Sequence, residues 1–401
     1  MGWGCALVAI SGDTPSAQTA NSASKELVWG YRPELDAVRF FAFLLVFIHH
    51  FLSPVDFKSY DLFTAAGERA LRVDSSLREA CAMGLCLFFT LSAYLITSLL
   101  LRERESYGSI SIRKFYLRRM LRIWPLYYLG IAIGVAMALL FRQTRDIVGF
   151  VAYLFLAGNF YCAAFGWLHN AMYPLWSISI EEQFYLLWPW AMRCFSRRGL
   201  AVSALGMIAA ANITLFALGE RHAVTDPHVW ANTLVQFEMF STGILLALAK
   251  KRMAWGNAWM GLGLATSGPV LWFGACFFSQ VKQPEAAGVT SNGATLMIAY
   301  ALIALGCAGV LQGFCMIGPS HIPQWVAALG KVSYGLYVYH VLAIAFAKAC
   351  FDPSRGLAYQ GASAALALGL TATAAVISYE YFESPFLRLK RRFEILHSKP
   401  I

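Results

Sequence analysis

Charge is what this sequence has least of. Asp, Glu, Lys and Arg make up 13% of its 401 residues, while 58% are hydrophobic. Soluble globular chains carry about 25% charged and about 45–50% apolar residues. A single water-soluble core cannot absorb that excess, whereas transmembrane helices of roughly 20 apolar residues can. Paired cysteine motifs are also missing. The nine cysteines are scattered and form no Cys-x-x-Cys. Most sit in apolar runs, where a thiol behaves as a small hydrophobe, so neither a zinc site nor a disulfide framework is expected. No basic region precedes the short apolar run at the N-terminus, which argues against a cleaved signal peptide. The start "MGWGCA" lacks the Ser or Thr of a myristoylation pattern. Residues 1–31 read as a flexible tail.

Acids are scarcer than bases, 22 against 32, for a net charge of +10. The bases fall in short blocks between apolar runs: Arg102 to Arg122, Arg193 to Arg198, Lys250 to Arg252 and Arg388 to Arg392. That is the positive-inside pattern of a membrane protein and argues against nucleic-acid binding.

Eleven apolar runs lie near 37–53, 84–101, 122–141, 147–162, 177–192, 200–219, 231–249, 258–279, 293–315, 331–350 and 361–381. The expected fold class is therefore all-α, a polytopic transmembrane helical bundle over residues 32–392 followed by a basic tail, 393–401. With the basic blocks cytoplasmic, the links 54–83, 220–230, 280–292 and 351–360 fall outside. The mixed charges of 54–83 suggest a folded loop with a short helix. Parity fails only between 122 and 176, so one of 122–141 and 147–162 should not cross. Partial spans are tolerated where protein or a water cavity covers them. The expectation is ten spans, both termini cytoplasmic, and an irregular or re-entrant region near 142–165. "GLGLATSG", residues 261–268, superficially suggests a dinucleotide loop. It follows no strand, and small-residue helix packing explains it.

Four blocks could carry chemistry. In "RFFAFLLVFIHHF", residues 39–51, Arg39 and His50 are eleven positions apart, about 1100° of helix, which leaves them only about 20° apart and roughly 16 Å distant along the axis. Asp36 falls within about 40° of His50, and His49 points about 100° away. Ionisable residues within spans usually face a bundle interior or cavity, and a histidine pKa near 6.5 suits proton transfer from a hydroxyl; a structural hydrogen bond is the plainer reading. In "RKFYLRRMLRIWPLYY", residues 113–128, Arg118, Arg119 and Arg122 converge on one patch. They suit phosphate, or equally headgroup anchoring. In "PLWSISIEEQFYLLWPW", residues 174–190, Ser177, Glu181 and Tyr185 share a helix face, as a site or as bundle glue. Trp176, Trp188 and Trp190 look like interfacial belt residues. In "LGKVSYGLYVYHVL", residues 329–342, Ser333, Tyr337 and His340 form one stripe, which read alone is inter-helix glue.

Together with "FFTLSAYLIT" at 88–97 and "SYEYFESPFLRLKRR" at 378–392, these blocks in this order resemble the integral-membrane acyltransferase-3 family, over residues 32 to 392. The family's arginine-ten-histidine motif matches Arg39 and His50, its arginine-rich motif Arg118, Arg119 and Arg122, and its Trp-Ser-x-x-x-Glu block Glu181. One departure is Ser92-Ala93 where Ser-Gly is usual; alanine still permits close helix approach. Some members carry an extracytoplasmic hydrolase-like domain, and the 401 residues match the standalone form.

The resemblance implies transfer of an acyl group, most often acetyl from acetyl-CoA, to a hydroxyl of a carbohydrate or related molecule, at a bacterial inner membrane and without a metal. Arg118, Arg119 and Arg122, joined by Arg39, would hold the CoA phosphates. His50 would act as base or transient acyl carrier, and Glu181 would orient it or the acceptor. Ser177, Tyr185, Tyr337 and His340 would line the substrate site. The acceptor, the acyl length and the oligomeric state are not legible. A transporter is the alternative, since many spans with intramembrane Glu and His also describe one, although the hydropathy halves show no inverted repeat.

Overall fold

The computed structural model describes residues 31–52, 65–141, 146–168, 170–221, 225–249, 257–279 and 292–394. The tails expected at 1–31 and 393–401 lie almost wholly outside these residues. Among the described residues every regular element is helical.

Helix α1 spans Pro33–Leu52, α2 Ala65–Ala82, α3 Gly84–Tyr107, α4 Ile112–Leu140, α5 Ile147–Leu154, α6 Gly158–Phe165, α7 Trp176–Cys194 and α8 Arg197–Glu220. The second half contains α9 Thr233–Ala249, α10 Ala258–Ser279, α11 Gly293–Ile317, α12 Gln324–Lys331, α13 Ser333–Cys350, α14 Leu357–Ile377 and α15 Ser384–Arg391. Seven helical stretches are long and apolar enough to cross a membrane, and the bent pair α12–α13 makes an eighth. Ten spans were expected. The two further candidates fall short for different reasons: α9 has 17 residues, and α7 carries Glu181, Glu182 and Gln183 along its length.

The irregular region falls where parity requires one. α4 runs for 29 residues through Pro125, while 147–162 breaks into α5 and α6, eight residues each. Each is about 12 Å long, well short of the roughly 30 Å apolar core. Between them Leu156 takes a φ of 57°, a left-handed conformation costly for a non-glycine residue. Protein covers this break. Tyr153 is fully buried; its carbonyl accepts from the Tyr127 hydroxyl at 2.5 Å, and its own hydroxyl donates to the Tyr173 carbonyl at 2.8 Å. The loop expected before residue 83 contains α2, a charged helix of 18 residues that runs on towards α3.

α1 lies at the centre, packed against α2, α3, α11, α12 and α13. α12 comes so close that a Cβ on Gly330 would sit 2.0 Å from the Asp36 carbonyl oxygen, so only glycine permits this approach. The chain then turns by 77° into α13. Gly330 and Ser333 flank the turn, the kind of small-residue pair at which helices kink. In α10 a Cβ on Gly268 would lie 2.3 Å from a Val310 methyl of α11, so "GLGLATSG" is a helix-packing stripe. Two tryptophans depart from expectation. Trp176 and Trp188 are buried, and only Trp190 is exposed as a belt residue would be. The Trp188 indole donates to Thr97 Oγ1 at 2.9 Å, so its polar edge is satisfied within the bundle.

Candidate active site

The singled-out residues fall in two adjoining groups. The first lines a cleft of about 830 Å³, open mouth included, whose walls include Arg39, Arg119, Arg122, Glu181, Ser177 and Tyr337. α1, α4, α7 and α13 each contribute.

The four arginines of the motifs are not equivalent. Arg39 donates to Asp36 one turn earlier. Arg118 is buried away from the cleft lining; it donates to Glu103 Oε2 at 3.1 Å and to the Phe393 carbonyl at 3.0 Å. Among the described residues Arg119 and Arg122 make no ion pair. The Arg119 guanidinium lies 5.7 Å from the Phe115 ring and 5.9 Å from that of Tyr185, and its buried Nε has no hydrogen-bond partner. No carboxylate stands within ion-pair distance of either cation among the described residues. An anionic ligand in the cleft would supply that contact, for which the guanidinium is suited through bidentate hydrogen bonds.

Glu181, on α7, also lines the cleft. Ser92 Oγ donates to its Oε1 at 2.8 Å, and the Tyr185 hydroxyl contacts both its Oε2 at 3.3 Å and Ser92 Oγ at 3.2 Å. The adjacent Glu182 turns elsewhere, accepting from the Trp124 indole at 3.1 Å. Ser92, just before the departure at Ala93, is therefore the direct partner of Glu181. At the inner end the Ser177 and Tyr337 hydroxyls lie 2.7 Å apart.

The second group begins at Tyr337, whose ring is 5.5 Å from that of His340. His340 is fully buried and lies 5.0 Å, ring to ring, from His50. Its Nδ1 donates to the Tyr337 carbonyl at 2.6 Å. His50 Nδ1 is 2.5 Å from the Tyr173 hydroxyl. His49 points away, with its Nδ1 donating to the Arg78 carbonyl of α2 at 3.1 Å and lying 4.0 Å from Glu79. The doublet therefore splits as helical phase requires: one imidazole joins Tyr173 and His340, and the other pins α2 to α1.

The structure thus brings Arg39, Arg119, Arg122, Ser177, Glu181, Tyr185 and Tyr337 to one cleft, and sets His50 and His340 ring to ring beyond Tyr337. It places Arg118 in a buried ion pair instead. Tyr173, in a short 3-10 turn Tyr173–Leu175, was not foreseen. It stands just before the "WSISIEE" block, but nothing in its type or spacing marked it. Among the described residues no group of three or more His, Cys, Asp or Glu side chains could hold a metal ion.

The comparisons with known proteins point one way. The chain is similar to the peptidoglycan O-acetyltransferase OatA of Listeria monocytogenes, 29% identical over 170 residues that cover 40% of this chain and 24% of that one. It is also similar to the putative O-acetyltransferase SAS0844 of Staphylococcus aureus, 23% identical over 391 residues covering 89% of this chain and 57% of the other. Nodulation protein 10 of Rhizobium leguminosarum is 26% identical over 285 residues, 65% of this chain and 71% of that protein. The chain thus spans between a quarter and somewhat over half the length of the first two relatives. No solved structure matches. The family model described as an acyltransferase domain matches residues 32–380. That range takes in both groups of residues, and the chain belongs to the acyltransferase domain family.

Proposed function

We propose that the protein is a multi-pass O-acyltransferase that moves an acyl group, acetyl from acetyl-CoA in the simplest case, to a hydroxyl of a carbohydrate or glycosylated acceptor. The observation that carries this reading is the pair Arg119 and Arg122, which line the cleft without an ion pair among the described residues. CoA is a polyanion, and these guanidiniums suit its phosphates, with Arg39 beside them. The positive-inside bias puts this basic end at the cytoplasmic face, where CoA is available, with both termini on that side of a bacterial inner membrane. The acyl end of the donor then points past Ser177 and Tyr337 towards the histidines. An imidazole there takes the hydroxyl's proton as the hydroxyl oxygen attacks the thioester, help worth about 10²–10⁴-fold in rate. Glu181, held by Ser92 and Tyr185, orients the acceptor from the cleft side.

The test is acceptor-dependent release of CoA from labelled acetyl-CoA by membranes containing the protein, with the label recovered on envelope glycan. Transport of a substrate with no CoA released would overturn the reading in favour of a transporter.

A further inference from the structure

We propose that Ser92, on α3, is a positioning residue for Glu181, and that together with Tyr185 it fixes the carboxyl group that meets the acceptor hydroxyl. This rests on the acyl-transfer reading and extends its acceptor side.

The first observation is where the Ser92 hydroxyl goes. Serine and threonine inside helices commonly donate back to the carbonyl four residues earlier. Ser203, Thr214, Ser241 and Thr371 all do so here, at 2.6 to 2.9 Å. The Ser92 hydroxyl leaves its own helix and donates to Glu181 Oε1 of α7 at 2.8 Å. Among the described residues Ser92 is also the only polar side chain that α3 gives to the cleft; Leu85, Phe88, Leu95 and Ile96 continue its stripe as apolar neighbours. Ala93 is turned the other way, fully buried against Gly243 of α9. The departure from Ser-Gly therefore lies on the α9 side of the helix, and the serine faces the cleft.

The second observation is a closed ring of contacts. Tyr185, one turn on from Glu181, brings its hydroxyl to 3.3 Å from Glu181 Oε2 and to 3.2 Å from Ser92 Oγ. Two hydroxyls thus grip both oxygens of one carboxyl group, and all three side chains line the cleft. A hydroxyl can donate or accept, so the ring holds Glu181 whether or not it carries a proton. The carboxyl oxygens keep acceptor capacity beyond these two contacts, which suits a ligand that offers hydroxyls. The adjacent Glu182 has no such ring. It accepts from the Trp124 indole and takes no part in the cleft lining. Of two neighbouring acids, the one held by Ser92 and Tyr185 is the one presented to a substrate.

The third observation ties this ring to the donor side. The Arg119 guanidinium lies over the Tyr185 ring at 5.9 Å, within the reach of about 6 Å at which a cation is drawn to an aromatic face. Tyr185 therefore serves both sides of the cleft, its hydroxyl on Glu181 and its face on a donor-binding arginine.

The experiment measures acceptor and donor kinetics separately, in membranes supplied with acetyl-CoA and fragments of envelope glycan. Ser92→Ala is expected to raise the KM for the glycan fragments about five- to tenfold, the worth of one hydrogen bond, while the KM for acetyl-CoA stays within about twofold. Ser92→Thr keeps the hydroxyl and should restore the glycan KM to within about threefold of wild type. Without the carboxyl group Ser92 has nothing to position, so Ser92→Ala should cost less than about twofold more in a Glu181→Ala background. Tyr185→Phe keeps the ring beside Arg119 and should raise the glycan KM alone, whereas Tyr185→Leu should raise both constants. A Ser92→Ala that raises both constants alike overturns the proposal, as does one whose glycan KM stays within twofold of wild type or whose penalty persists in full without Glu181. If Ser92→Ala does not accumulate, Tyr185→Phe decides: a selective rise in the glycan KM supports the proposal, and an unchanged ratio of the two constants overturns it. A wild-type protein that releases no CoA would instead remove the acyl-transfer reading itself.

Discussion

Ser177 and Tyr337, 160 positions apart in the chain, hold their hydroxyls 2.7 Å from each other, and both also approach the carbonyl oxygen of Pro174, at 3.1 Å and 2.8 Å. Two hydroxyl protons serve three contacts, so the triangle always has one contact short of a proton. It joins α13 to the start of α7 between the arginine cleft and the histidine pair. Removing either hydroxyl, as Ser177→Ala or Tyr337→Phe, should cost about 1 kcal/mol of stability. The double variant should cost clearly less than the sum, because the pair shares one interaction. Thermal unfolding in detergent of the four proteins of this cycle checks the coupling.

Arg119 and Arg122 should govern donor affinity. Charge-assisted hydrogen bonds contribute about 1.5–3 kcal/mol each, so Arg119→Gln or Arg122→Gln is expected to raise the KM for acetyl-CoA roughly ten- to hundredfold with kcat much less affected. Raising ionic strength should weaken donor binding in the wild type more than in the double variant. Steady-state kinetics of CoA release at two salt concentrations measures both effects.

Arg118 should behave differently despite its place in the same motif. Its partner Glu103 also accepts from the Ser111 backbone at 2.7 Å, and the side-chain exposures of Arg118 and Glu103 are 7% and 2%. Breaking such a pair leaves a buried charge and costs about 3–5 kcal/mol. Arg118→Met and Glu103→Gln should each lower the amount of folded protein, and combining Arg118→Met with Glu103→Leu should recover much of it. Protein that does fold should keep a near-normal KM for acetyl-CoA. Size-exclusion profiles and kinetics separate this outcome from the behaviour of Arg119 and Arg122.

The neighbouring histidines should separate as cleanly. His50→Ala is expected to reduce transfer by about 10²-fold or more. His49→Ala should leave transfer within a few fold and lower thermal stability by about 1 kcal/mol, the worth of its bond to the Arg78 carbonyl. Labelled acetyl transfer at matched protein levels, alongside a melting curve, checks both.

Most of this architecture was legible because apolar runs and basic blocks are strong signals. Parity demanded a failed crossing between 122 and 176, but hydropathy could not tell which run failed, since both are apolar. The answer lay in tertiary contacts that cover the break, those of Tyr153 with Tyr127 and Tyr173. Helical phase separated His50 from His49 because that is a local property of one helix. The Asp36–Arg39 pair was legible for the same reason. The commitment of Arg118 to Glu103 was not, because the partner lies fifteen positions away on another helix. Trp176 and Trp188 were misread as belt residues because amphipathic rings have the same composition whether they face lipid or core. Tyr173 gave no signal at all; a tyrosine before a proline acquires meaning only once folding brings it against an imidazole.

Helix α1 also acts as a ruler. Eleven residues set both the distance and the rotation between Arg39, on the cleft wall, and His50, beside Tyr173 and His340. Inserting one residue between Arg39 and His49 would turn His50 away by about 100° and carry His49 into the position it vacated. Deleting one would bring Phe51 there instead, a ring with no nitrogen to offer Tyr173. The doublet therefore gives the helix a one-sided tolerance of register error: a single insertion still delivers an imidazole to Tyr173 and His340, and a single deletion does not.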